Sequence, residues 1–268
     1  MNTAFLDSPI LNKDVEQLFD VDFLVQGYPG TSSTHGGLGW STIALLSYAD
    51  KKIIVDGGSF GVRKLLLQKL AERGVKPEDI SMVLLTHSHW DHSVNWTLFP
   101  NATIVLSRVD MEWAIQEPPG GWHVPELYIR DLAKSSQLRL IEHEEEIVPG
   151  IAAHLVAGHT PGHVAFYVQD EIHDWVFAGD AAKNKAELLS HTVDMTIDEQ
   201  ASRASISYLW TLWTQRPGTV FVPGHDLPMI LKEGKPEYIG TRETRIEAWF
   251  GQDLTDVTRI SLDQTKLD

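Results

Sequence analysis

The chain has 268 residues, a formal charge of −15 and no cysteine. The missing cysteines exclude disulfides, thiolate metal sites, iron–sulfur clusters and thiol catalysis, so any metal must be held by nitrogen and oxygen ligands. The acidic balance, with no basic stripe, argues against a nucleic-acid partner.

The first residues, "MNTAFLDSPILNKDVEQLFD", show no basic region followed by a long apolar block, so no secretion signal is expected. No apolar run approaches the roughly 20 residues of a membrane helix. A cytoplasmic protein with no membrane partner is therefore expected. "DFLVQGY" (22–28) predicts a strand, and "STIALLSYADKKIIVDGG" (41–58) a hairpin turning at Ala49-Asp50. Between them, "PGTSSTHGGLGW" (29–40) is rich in Gly, Ser and Thr and reads as a flexible loop or a flap over a site.

"GVRKLLLQKLAERGV" (61–75) places apolar residues at Val62, Leu65, Leu66, Leu70 and Val75, the spacing of an amphipathic helix ending at Gly74. "SMVLLT" then reads as a buried strand, "NATIVLS" (101–107) as another and "RVDMEWAIQE" as a helix stopped by "PPGG". Residues 122–137 are expected to be helical or irregular. Residues 137–160 read as strand, turn, strand, followed by strands in "HVAFYVQD" and "DWVFAGD". A helix over 198–215 and a short strand in "TVFVPGH" complete the pattern. Strands followed by a helix, twice over, predict an α+β plan of two sheets with helices outside. No linker or repeat divides the chain, so a single domain (1–268) is expected. Its motif-bearing core covers about 20–226, and 227–268 form a charged, helical extension that packs on the domain or on a second copy as a homodimer.

The chemistry concentrates at strand ends. "THSHWDH" (86–92) follows a buried strand, and His87 and His89, two apart, face the same side of extended chain. Asp91 and His92 follow after a turn. His159 in "AGHTPGH", Asp180 in "FAGDAAK" and His225 in "VPGHD" each come after a strand and directly after a glycine. Separate strand ends delivering His or Asp indicate one polynuclear metal site rather than a solvated histidine-rich turn.

This set, with "KIIVDGGS" and its Asp56, resembles the metallo-β-lactamase-fold hydrolases. In metal set it is most similar to their N-acyl-homoserine lactonase-like members. The resemblance covers roughly residues 20–226 and implies the four-layer αβ/βα sandwich with the site at one edge. It implies two divalent metal ions, with Zn²⁺ suiting the ligands and Fe or Mn as alternatives. His87, His89 and His159 would hold the first ion, Asp91, His92 and His225 the second, and Asp180 would bridge them. A hydroxide shared by the ions would attack the carbonyl of a lactone, ester or related cyclic substrate, with Asp91 orienting it. A phosphodiesterase or arylsulfatase-like activity is the alternative within the fold, and an iron-dependent oxidoreductase a further one.

Three residues after Asp180, the related lactonases carry a tyrosine that contacts the lactone carbonyl, whereas this chain has Lys183. Lys183 is expected either to polarise the scissile carbonyl or to anchor an anionic group. Trp40, Trp90, Trp96 and Trp122 lie near the motifs, and at least one is expected to line an apolar pocket for an acyl, aryl or ring substrate. The partner is thus a small molecule, anionic or with an apolar part. His163 is expected to support the site without being a ligand. His35, His123, His143, His154, His173 and His191 are assigned structural or surface roles.

Overall fold

The computed structural model describes residues 19–263. Most of the stretch read for a secretion signal lies outside them. Strands β1 (Asp20–Val25), β4 (Ile43–Tyr48), β5 (Lys51–Val55), β6 (Met82–Leu84), β7 (Thr103–Ser107) and β8 (Leu138–Ile141) form one six-stranded sheet in the order β1-β4-β5-β6-β7-β8. Within it, β2 (Thr31–Ser32) and β3 (Gly36–Gly37) form a two-stranded ribbon on the β1–β4 connection. The second sheet has seven strands: β9 (Glu145–Val148), β10 (Ile151–Leu155), β11 (Val164–Val168), β12 (Trp175–Gly179), β13 (Val220–Pro223), β14 (Met229–Lys232) and β15 (Lys235–Tyr238). Both sheets are mixed. Pairing is parallel from β5 through β8 and between β12 and β13, and antiparallel elsewhere.

Period-two alternation builds the layers. Ala44, Leu46, Ile53, Val55 and Val105 point between the sheets, where they meet Ile151, Ala153, Val164, Phe166, Val168 and Phe177 of the second. Their neighbours Leu45, Ile54, Ile104 and Leu106 point outward against helices α1 (Arg63–Glu72), α3 (Arg108–Ala114) and α4 (Glu126–Leu132). On the far side, Ala165, Tyr167, Val176 and Phe221 pack on α5 (Lys185–Ser190) and α6 (Glu199–Thr214). The short α2 (Trp90–Ser93) lies inside the histidine motif. The result is helices, sheet, sheet, helices, the four-layer sandwich expected. Among the described residues, no helix is long and apolar enough to cross a membrane.

Three local expectations need correction. The strand-turn-strand reading of 137–160 holds three strands, because the Glu142–Glu144 turn carries the chain from the first sheet (β8) into the second (β9, β10). Residues 29–40 are the β2–β3 ribbon, closed at its neck by the stacked rings of Tyr28 and Trp40. The extension 227–268, expected to be helical, contains strands instead. Glu233 and Gly234 both take positive φ (50° and 74°), the geometry of a tight hairpin turn, and β14 and β15 close the second sheet's edge. Beyond Gly240 (φ 83°), β16 (Arg245–Ala248) and β17 (Thr258–Ser261) pair as a separate ribbon. The charged residues that suggested a helix here alternate along strands: Arg245 and Glu247 share one face of β16, and Glu247 pairs with Arg259 across the ribbon.

His154 on β10 offers a test of the packing between the second sheet and α6. Its ring is buried, and Nδ1 lies 2.9 Å from the Tyr208 hydroxyl. Burial pushes its pKa down to about 4, whereas an unfolded histidine titrates near 6.5. Between these values the unfolded chain binds a proton that the folded chain does not. Stability from the neutral ring is therefore complete above about pH 6.5 and is lost as pH falls towards 4. The stability advantage of the wild type over His154→Gln is expected to shrink by on the order of 2–3 kcal/mol between about pH 7 and pH 4 in urea unfolding. A pH-independent difference would contradict this assignment.

Candidate metal centre

The functional side chains come from loops gathered at one edge of the sandwich. The loop after β5 supplies Asp56, that after β6 supplies His87, His89, Asp91 and His92, and the β10–β11 loop supplies His159 and His163. The loop after β12 supplies Asp180 and that after β13 supplies His225. Because the two sheets pack face to face, these loops converge. Thr42, just before β4, joins the two edges, its N–H donating to the Gly224 carbonyl (2.7 Å) and its hydroxyl to that of Pro223 (3.0 Å). Gly224 leaves space for the adjacent carboxylate, since a Cβ there would collide with Asp180 Oδ1.

Three overlapping clusters of candidate ligand atoms result, each with its atoms within 4.8 Å of one another: His87, His89 and His159; His87, His92 and Asp180; and Asp91, His92 and His225. Asp180 faces both ends. Its Oδ2 lies 3.4 Å from His159 Nε2, while its Oδ1 lies 3.2 Å from both His92 Nε2 and His225 Nε2. His225 Nε2 is also 3.3 Å from Asp91 Oδ2. His87 Nε2, His89 Nε2, His92 Nε2, His159 Nδ1 and Asp180 Oδ1 are buried without a hydrogen-bond partner. On the converging faces His89 Nδ1 and His159 Nε2 lie 2.9 Å apart, and Asp180 Oδ1 sits between His92 Nε2 and His225 Nε2; imidazole and carboxylate atoms crowded in this way, with the buried His87 Nε2 unpaired among them, fit divalent cations of the zinc type.

The two ends differ electrostatically. Burial holds His87 and His159 well below the ordinary imidazole range and pushes His89 down to about 4, so this end offers neutral nitrogen lone pairs. Burial acts the same way on His92 and His225. There, however, the carboxylates outweigh it: Asp180, Asp56 and Asp91 hold His92 well above the usual range, and Asp180 with Asp91 raises His225 to about 9. Asp180 is correspondingly held low, since His225 and His92 outweigh its desolvation.

Supporting contacts fix these rings. His92 Nδ1 meets Asp56 Oδ2 at 2.8 Å, and Asp56 also accepts the Thr86 N–H at 2.9 Å and the Thr86 hydroxyl. His163, expected to support rather than bind, accepts the Asp180 N–H on Nε2 (3.0 Å) and stacks on His87. His123, given no role from sequence, stacks on His89 with ring centroids 5.3 Å apart, and its carbonyl accepts the Trp90 N–H. Trp90 and Trp122 are 39% and 60% exposed, placing them at the rim, and Trp122 packs against His123. Trp96 instead belongs to the core beneath α1 and α3.

Lys183 is already partnered. Its Nζ donates to the Asp194 carbonyl (2.6 Å) and pairs with Glu187 (2.8 Å), and both side chains are largely buried. Glu187 also accepts the N–H groups of Lys183 and Asp194. The i, i+4 spacing of Lys183 and Glu187 could have signalled this pairing, but the Asp194 carbonyl is brought in only by the fold. Two other supporting residues gave no signal in the sequence. Asp226, buried beside His225, accepts the Lys185 N–H and the Tyr238 hydroxyl and pairs with Arg242. Asp110 is buried beside the first-motif loop, and burial pushes its pKa up to about 6.

With this geometry established, comparison with known proteins identifies the family. The sequence profile of the metallo-beta-lactamase superfamily matches residues 36–225, and the chain belongs to that superfamily. An N-acyl homoserine lactonase of Bacillus cereus is 27% identical over 156 residues, 58% of this chain and 59% of the relative. The match therefore spans less than two thirds of that relative's length. An N-acyl homoserine lactone hydrolase structure, with the product N-hexanoyl-L-homoserine bound at its catalytic metal centre, superposes with a TM-score of 0.63 at 20% identity, covering 79% of this chain and 94% of that one. A dizinc quorum-quenching lactonase superposes with a TM-score of 0.62 at 18% identity, covering 76% and 80%.

Asp56→Ala would leave the His92 ring nitrogen and the Thr86 N–H and hydroxyl without partners in a buried site. In the presence of chelator it is expected to lower unfolding stability by about 3–5 kcal/mol in a denaturant titration. A loss below about 1 kcal/mol would contradict the role given to Asp56.

Proposed function

We propose that the protein is a dinuclear metal-dependent hydrolase of neutral carbonyl compounds, lactones or esters above all. The observation that carries this reading is the convergence of seven imidazole and carboxylate side chains, most of them buried, at one sandwich edge. In this reading His87, His89 and His159 hold one ion, Asp91, His92 and His225 the other, and Asp180, with an oxygen facing each end, bridges them. Two divalent ions, when bound, supply Lewis acidity toward a carbonyl oxygen and activate water near neutral pH. Relatives named as N-acyl homoserine lactonases match 156 residues of this chain, which supports a lactone substrate.

The chain's own residues do the remaining work. Asp91 is the carboxylate placed to accept a proton from attacking water, since its Oδ2 lies at the open His225 end. His163 holds the Asp180 backbone, and Asp56 holds His92, so neither donor must reorganise during reaction. Exposed Trp122 packs on His123, which stacks on His89, so an aromatic surface beside the site is available to an acyl or aryl part of the substrate.

The Lys183 pairing bears on substrate charge. A lysine neutralised by a buried glutamate offers little net attraction to a carboxylate, so Lys183 acts as a hydrogen-bond donor toward a neutral carbonyl rather than as an anion anchor. On a panel of neutral lactones, aryl esters, carboxylated β-lactams and bis-aryl phosphates, kcat/KM for the best lactone or ester is expected to exceed that for the others by at least about tenfold, a difference of about 1.4 kcal/mol. Preference for the phosphate diester would overturn the reading in favour of the phosphodiesterase alternative. Glu187→Gln unpairs Lys183 and is expected to lower KM for the carboxylated substrates several-fold while leaving KM for neutral ones little changed. An equal effect on both would remove Lys183 from substrate selection.

A further inference from the structure

The ligand atoms of the proposed first ion come from different sheets. His87 and His89 lie on the loop after β6, and His159 lies on the loop between β10 and β11. Both loops touch one buried side chain that is not itself a ligand. Asp110, in the first turn of α3, is fully buried. Its Oδ1 accepts the N–H of Ser88, the residue between His87 and His89, at 2.9 Å. Its Oδ2 accepts the hydroxyl of Thr160, the residue after His159. The Gly162 N–H is a further donor to it. The β10–β11 loop lies flat on the start of α3, and a Cβ at Gly162 would collide with the Asp110 backbone.

A carboxylate is an expensive group to place here. Removing an ionised carboxylate from water costs several kcal/mol even after relaxation, and good hydrogen bonds recover only part of that. A side chain serving the core alone would be apolar. A carboxylate accepts from donors of both loops at once; asparagine would keep one acceptor, turn its N–H₂ toward the other loop, reverse the Thr160 hydrogen bond and leave the N–H donors of Ser88 and Gly162 to share a single oxygen. The carboxylate thus trades stability for a fixed distance between the segments that carry His89 and His159, whose nearest ring nitrogens lie 2.9 Å apart.

We infer that Asp110 is a positioning residue that spaces His89 and His159, through Ser88 and Thr160, and thereby sets affinity for the ion held by His87, His89 and His159. The inference rests on the two-ion reading above. Asp110 hydrogen-bonds to the residues beside His87, His89 and His159 and not to their rings, so its effect falls on one ion of the pair. Asp226 occupies a comparable place beside His225 at the other end of the site.

The test uses the full chain, stripped of metal and titrated with Zn²⁺ against a chromophoric chelator. The wild type is expected to bind two ions. Asp110→Asn is expected to bind one ion as the wild type does and the other about 10–100-fold more weakly. Thr160→Val keeps the carboxylate and removes a single donor, so it serves if Asp110→Asn fails to fold. It is expected to weaken the same ion by a smaller factor, at least about threefold. Tyr167→Phe removes a buried hydrogen bond to Asp174 at the opposite end of the sheet and controls for general loss of stability. It is expected to bind both ions as the wild type does. Two ions bound by Thr160→Val and by folded Asp110→Asn within about twofold of wild-type affinity would overturn the inference while leaving the two-ion reading intact. Equal weakening in Tyr167→Phe would also overturn it, because the effect would then be general. A wild type that binds no ion would overturn the two-ion reading, and the inference with it.

Discussion

The sandwich brings imidazole and carboxylate side chains from four loops to one edge, against the cost of burying them. His89 Nδ1 and His159 Nε2 lie 2.9 Å apart, Asp180 Oδ1 lies 3.2 Å from both His92 Nε2 and His225 Nε2, and the buried His87 Nε2 has no hydrogen-bond partner. Each such atom would cost roughly 1–3 kcal/mol if nothing satisfied it. A divalent cation would satisfy imidazole and carboxylate atoms aimed at common points. The sheets, the short loops and the contacts among Asp56, Thr86, His163 and Thr42 hold those atoms in place.

The electrostatics make the site asymmetric. Neutral imidazoles dominate at the His87, His89 and His159 end, while carboxylates hold protons on His92 and His225 at the other. A cation entering the second end must displace those protons, so its affinity depends on pH more steeply than that of the first. The outer boundary of the site is apolar and aromatic, with Trp90 and Trp122 at the rim, and Lys183 brings no free charge because Glu187 balances it.

The parts of this account that were legible in the sequence share a physical reason. Cation binding needs a few residue types at fixed strand ends, so His87, His89, Asp91, His92, His159, Asp180 and His225 stood out, and the structure brings all of them together. Strands of the sandwich were legible because their alternation reports two buried faces. The C-terminal segment was not, since alternating charges on an exposed ribbon look much like a solvated helix until the Glu233-Gly234 turn and Gly240 are seen. Asp110 was invisible because an acid near a helix start is ordinary in sequence, and only the fold buries it between the Ser88 and Thr160 loops. Trp96 shows the converse: proximity to the motif suggested a pocket, whereas η-type helical turns after α2 direct it into the core.

The most direct test of the central claim is the metal content of the chain, measured by mass spectrometry on protein stripped with chelator, reloaded with Zn²⁺ and freed of unbound ion. The account predicts two ions per wild-type chain and one per chain for His225→Ala, because that substitution leaves the His87, His89 and His159 end intact. Two ions retained by His225→Ala, or none by the wild type, would contradict it.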